Sequence, residues 1–191
     1  MADNNIWNYD DGMSQSHISL QFVETIAGVD QFRMFDTGVA ETVPIFINKQ
    51  GATYTQSSTA ANIPLTDGFW MQVGSFSIIL LRDDLAVGDS WTETPEWTVT
   101  VQGNGLSQDV PASLTYTGTI MERGATEAIG PLIFNDVIKS TITVTQIING
   151  QATHIDAEYW FAKDVGIIKM VTTTSLDNAT STRYLINYDL N

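Results

Sequence analysis

The side chains best suited to proton transfer or metal binding are few and dispersed. The chain has two histidines, His17 and His154. His154 shares the outward face of one expected strand with Asp156 and Glu158. Alternate residues of a strand lie about 6.5–7 Å apart, close enough for their side chains to converge on a cation. No second histidine joins them, and an ordinary solvated strand face carries the same residue types. A Ser-His-Asp relay needs a histidine within reach of both a serine and a carboxylate, and no GxSxG or HExxH pattern occurs. The acidic pairs Asp10-Asp11 and Asp83-Asp84, and the oxygen-rich stretches Asp3-Asn4-Asn5 and Asn8 to Gly12, lack calcium-loop spacing and read as turns or solvated tail. A glycosidase-type carboxylate pair is drawn from distant strands and leaves no local pattern. No catalytic residue, metal ligand or cofactor is therefore assigned, and the expectation is a protein that is not an enzyme.

The aromatic run Tyr159-Trp160-Phe161 is the remaining candidate for binding. On a strand its rings alternate between faces. Tyr159 and Phe161 then belong to the core, whereas Trp160 lies on a threonine-rich face and needs cover, from the protein or from a ligand. These three residues are the candidate ligand-binding set. The nearby Gly166 suits a turn requiring positive φ, and Lys163 and Lys169 read as solubilising residues at strand ends.

The elements that must position these residues are strands. The 191 residues are 43% hydrophobic but only 16% charged, against an average near 25% charged. Threonine takes the place of charge, alternating in Thr98-Val99-Thr100-Val101 and Thr141 to Thr145, as suits a wet strand face. Strands are expected at Ile18–Ile26, Gln31–Asp36, Val43–Lys49, Ala52–Gln56, Trp70–Arg82, Glu96–Gly103, Ser113–Arg123, Ile133–Ile148, Ala152–Lys163, Ile167–Leu176 and Ser181–Leu190. Ser16–Gly28 admits a helix as an alternative, with Ser16 as cap and Gly28 as stop. Asn149-Gly150 is a strong hairpin signal, and the last eighty residues read as a four-stranded meander with one apolar and one threonine-rich face. The fold class follows: mostly β, an antiparallel curved sheet, half-open barrel or two-sheet sandwich, with few helices. Residues 1–15 are expected to be a disordered tail and 16–191 a single domain.

Partners are bounded by charge. Eight basic residues face 22 acidic ones, for a net charge of −14, and the basic residues form no stripe. Nucleic acid, which demands clustered cations, is excluded as a partner class, and an anionic lipid surface is disfavoured. No run approaches the ~20 apolar residues of a membrane helix. Cysteine is absent, so disulfides and thiolate chemistry are excluded. The start Met1-Ala2-Asp3-Asn4-Asn5 holds no signal peptide and reads as the head of a mature region behind a removed leader.

Three segments carry a family resemblance. Leu85-Ala86-Val87-Gly88-Asp89-Ser90-Trp91 is similar to a dLxVGdsW motif, Ile129 to Lys139 to GxxFxDVIKV, and Glu158 to Lys169 to YWFAKGVGLVK. In this order, over Leu80 to Val171, they resemble an uncharacterised family of exported bacterial proteins and lipoproteins, with Asp164 standing where that family often has glycine. The resemblance implies an extracytoplasmic protein of the periplasm or cell surface, anchored in relatives through an N-terminal lipid, and no catalytic residues. A looser similarity is to periplasmic lipoprotein carriers whose curved sheet holds an acyl chain. Three functions stay open, in this order: a non-catalytic envelope protein binding a hydrophobic or amphipathic ligand, a surface module binding protein or glycan, and an unrecognised hydrolase that rests only on the abundant carboxylates. The partners expected are a lipid-like small molecule or an envelope protein.

Overall fold

The computed structural model describes residues 1–38, 44–65, 67–95 and 97–191. Its regular elements are strands: β1 (Ile6–Asp10), β2 (Gln15–Ile26), β3 (Val29–Asp36), β4 (Ile45–Gln50), β5 (Thr53–Ser58), β6 (Ala61–Pro64), β7 (Phe69–Val73) and β8 (Phe76–Arg82). They continue with β9 (Ser90–Glu93), β10 (Val99–Gly103), β11 (Leu106–Val110), β12 (Ala112–Ile129), β13 (Leu132–Ile148), β14 (Gln151–Ala162), β15 (Gly166–Thr174) and β16 (Thr180–Asp189). The expected strand starts at Val43 and Glu96 fall outside the described residues.

Twelve strands form one antiparallel sheet in the order β8-β5-β4-β3-β2-β1-β16-β15-β14-β13-β12-β9, curled into a nearly closed barrel. The other four make a small sheet, β11-β10-β7-β6, from two excursions of the chain. The mostly-β expectation holds, and Ser16–Gly28 is strand and hairpin turn rather than helix. Its apolar residues alternate with polar ones at Ile18, Leu20 and Phe22, a period of two that serves a sheet face and not a helix stripe.

Two expectations are corrected. Residues 1–15 are not a disordered tail: β1 lies inside the sheet, pairing Trp7 with both Ile18 and Tyr188. Trp7 and Tyr9 are buried in alternation with exposed or half-buried Ile6 and Asn8; two aromatics outweigh the polar residues around them. The expected strand Trp70–Arg82 is two strands in different sheets. The chain changes sheet at Gly74-Ser75, where a Cβ on Gly74 would sit 2.4 Å from the Thr98 hydroxyl, so a larger residue there would require Thr98 to turn away.

The meander β13 to β16 forms as expected, and Asn149-Gly150 makes the hairpin turn with φ of 50° and 77°. Bulges re-aim side chains along it. Opposite Asn8/Tyr9, Ile186 is the extra residue on β16, so Leu185 and Tyr188 face the same way. Ile168 is the extra residue opposite Trp160/Phe161. The outer end of the β12–β13 hairpin, bent by three register shifts, folds back until the ring of Phe134 is 6.2 Å from that of Tyr188.

Apolar residues gather in two clusters on opposite faces. The first joins β1, β2, β3, β15 and β16 under the bent hairpin, with Trp7, Tyr9, Phe134, Val137, Ile168 and Leu185. The second unites the two ends of the sheet through Leu80, Leu81, Trp91, Tyr116, Ile120, Ile142 and Phe161.

Candidate functional site

Strand β14 places the candidate aromatics as its period requires. Tyr159 and Phe161 stack at 5.7 Å within the second cluster, while Trp160 packs against the first. Burial holds the Tyr159 phenol above its ordinary pKa, hence neutral. Trp160 receives cover from the Lys169 ammonium, 4.4 Å from its ring centroid, a cation–π contact. The three residues do not converge on one groove.

Most of the acid and base candidates are held by a neighbour. The His154 ring sits 3.1 Å from the Thr145 hydroxyl, and Thr143 donates to Asp156 at 2.8 Å. His17 faces Thr37. Asp10 and Asp11 cap the β1–β2 turn by accepting the N–H groups of Gly12, Met13 and Ser14, which lowers the Asp11 pKa. Asp84 binds Arg82, and Asp83 faces Lys49 at 3.5 Å. Among the described residues, no three His, Asp or Glu side chains gather as a metal site. Threonine hydroxyls pair across strands elsewhere too, Thr92 with Thr117 and Thr173 with Thr180.

Two constellations went unforeseen because their members are far apart in sequence. One is the seam where the sheet ends meet. Strands β8 and β9 share no ladder; side chains close the gap. The Trp91 indole N–H donates to the Ile79 carbonyl at 3.2 Å, and the Ile79 N–H donates to the Tyr116 hydroxyl at 2.7 Å. That hydroxyl donates in turn to Glu93 at 3.1 Å. Burial above all, and then the Glu93 charge, push the Tyr116 phenol up to about 12, against the Ile79 N–H. The segment Leu85 to Trp91 supplies this seam: Gly88 donates to the Ile120 carbonyl, and Arg123 grips the carbonyls of Asp83 and Leu85. The other is the Arg183 fork, which binds both Asp36 oxygens at 2.7 and 2.8 Å and also the Ser16 hydroxyl, joining β16 to β2 and β3. Both charged partners are largely buried.

The small sheet offers a surface of another kind. Register places Pro64, Trp70, Gln102 and Ser107 in one row on its outer face, and Asn62, Gln72, Thr100 and Asp109 in the next. Trp70 is 40% exposed. The Gln102 amide donates to the Gln72 carbonyl oxygen at 3.1 Å, and Thr100 donates to Asp109 at 2.8 Å. Beyond the second row, small residues leave an open depression of about 410 Å³ lined by Ala60, Gln72, Gly74, Ser75, Thr98 and Thr100. A second depression, of about 460 Å³, lies over Asn8, Gln15, Ser16, His17, Ile186 and Asn187. Among the described residues both are polar surface hollows rather than enclosed apolar chambers. The hairpin signals Asp67-Gly68 and Asn104-Gly105 were the available pointers to this sheet.

Neither a family model nor a curated protein matches the chain. Its fold does match a crystal structure described as "a putative lipoprotein from Parabacteroides distasonis", with a TM-score of 0.51 over 98% of this chain and 96% of that one, at 10% sequence identity. The chain thus shares the architecture of that protein along nearly its whole length.

Proposed function

We propose that this chain is a non-catalytic extracytoplasmic module, a rigid barrel that presents a recognition surface on its small sheet. One observation carries this reading. The central parts of the apolar strand faces pack on one another, with Tyr116, Ile120, Ile168 and Leu185 each at most 1% exposed, whereas an exposed tryptophan and a mainly uncharged set of polar groups, with Asp109 among them, are collected outside the barrel. Much of the surplus of apolar strand positions that suggests a carrier is thereby accounted for as core, with Phe22, Ile26, Leu106 and Ile133 left exposed. Placement outside the cytoplasm rests on the motif resemblance and on the fold shared with a putative lipoprotein. Threonine ladders in place of charged strand faces are consistent with it.

The carrier reading retains one observation in its favour: the β8/β9 seam is held by a few side-chain bonds and not by a ladder, a natural place for a barrel to part. Native mass spectrometry of the freshly purified chain, beside its denatured mass, separates the two. The expected result is the bare polypeptide mass. A reproducible lipid-sized increment lost on denaturation overturns the surface reading in favour of the carrier.

A further inference from the structure

We infer that the outer face of the small sheet is a binding site for a neutral carbohydrate chain, with Trp70 as its stacking platform. This rests on the surface-display reading above.

The face has three levels along β7. Trp70 stands in the first row, the amide and hydroxyl groups of Gln72 and Thr100 in the second, and the hollow over Gly74 beyond them. From Trp70 to Gly74 is about 13 Å at strand rise, and four strands span about 14 Å. An extended saccharide of a few rings covers such a surface.

The groups present select the ligand class. A sugar ring offers C–H groups on one face and hydroxyls at its rim, and an indole face, negative by its quadrupole, attracts the C–H side. Hydroxyls both donate and accept, so they require donors and acceptors together. Pairing of Gln102 with Gln72 orients both amides, leaving the Gln72 amide hydrogens and the Gln102 carbonyl oxygen to face a ligand. Thr100 occupies one Asp109 oxygen and leaves the other as an acceptor. The two rows carry no lysine or arginine, and the chain bears a charge of −14, so a polyanion is repelled. An acyl chain gains little from amides, hydroxyls and a carboxylate. An extended peptide seeks a strand edge rather than a face. What remains is uncharged and rich in hydroxyls. The hollow itself depends on Ala60, whose small size leaves room between taller neighbours; the place of a side chain at Gly74 is taken by the Thr98 hydroxyl.

The test is affinity electrophoresis of the full chain in gels containing soluble neutral polysaccharides (mixed-linkage β-glucan, galactomannan, arabinan and dextran), with hyaluronan as the anionic control, backed by a glycan array. At least one neutral polymer is expected to retard the chain and hyaluronan not to. Trp70→Ala and Gln72→Ala are each expected to weaken binding about tenfold or more, as truncation of a central contact does, and Ala60→Leu to do so by filling the hollow. Leu176→Ala, at a distant exposed turn, is expected to leave it unchanged, and near-ultraviolet circular dichroism checks that each variant is folded. Absence of binding to every neutral glycan overturns the assignment, as does undiminished binding by folded Trp70→Ala and Gln72→Ala. If that absence accompanies a bare native mass, the carbohydrate site falls while surface display stands; a bound lipid removes both.

Discussion

At the scale of single residues, the fold depends on a few positions where only one side chain is tolerated. A Cβ on Gly118 would lie 2.1 Å from the Trp91 ring, so the glycine makes the slot into which the seam tryptophan inserts. Gly118→Ala is expected to cost about 1–3 kcal/mol, as overpacking does, measured by urea unfolding. The cost should shrink in a Trp91→Leu background, a coupling that a double-mutant cycle reads directly. Ala27 opens the β2–β3 turn at φ 51°, a conformation that asparagine adopts more readily. Ala27→Asn should raise stability by about 0.5–1 kcal/mol. Asp36 is governed by its surroundings: burial opposes its charge, but the hydrogen bonds from Arg183 and the Gly38 N–H, with the Arg183 charge, prevail and lower its pKa. Its folded value therefore lies below the unfolded one. The stabilisation is complete above about pH 3.9, the unfolded value, and is lost as the pH falls through the folded value. Asp36→Asn should thus cost about 2 kcal/mol at neutral pH, and the difference from the parent chain should fade on acidification. A constant difference down to strongly acidic pH would refute the ion pair as its source.

At the scale of elements, the barrel ends where two strands meet without a ladder. The Ile79 N–H and C=O are satisfied by Tyr116 and Trp91 instead of by backbone. Tyr116→Phe leaves that N–H without its partner and should cost about 1–3 kcal/mol. Hydrogen exchange at Ile79 should accelerate while amides of the β13–β14 ladder change little; uniform acceleration would mean that the seam is no separate unit. The seam also marks the limit of what was legible in the sequence. Period-two patterning and Asn149-Gly150 reveal β13 to β16, because those pairings are local. Neither the split at Gly74-Ser75 nor the approach of Tyr116 to Ile79, 37 residues away, leaves a periodic trace, because both depend on which sheet the chain joins. The same holds for the candidate site. The Tyr159-Trp160-Phe161 run stands out as a string of aromatics, yet the strand divides it between two cores. Trp70 draws no notice until register sets it beside Gln72 and Gln102 from two strands.

At the scale of the whole molecule, β1 stands between β2 and the last strand, β16. Removing residues 1–10 should expose two strand edges and withdraw Trp7 and Tyr9 from the core, about 5 kcal/mol of apolar burial, comparable to the entire stability of a small domain. Size-exclusion chromatography and thermal melts of this truncated chain are expected to show association or loss of cooperative unfolding. An unchanged monomer with an unchanged melting temperature would return residues 1–10 to the status of a tail. The likeness to the putative lipoprotein structure extends over 98% of the chain.

The position of β1 also sets an order of events. Among the described strands β1 precedes all the others in sequence and pairs with β16, so this sheet stays open until β16 has been made. Until then β1 and β2 form a hairpin with one unsatisfied edge, and each later strand is a candidate for mispairing with it. Contacts that span the whole sequence make folding slow. A sheet that cannot close early keeps its edge strands open to wrong partners for longer than one closed by local hairpins.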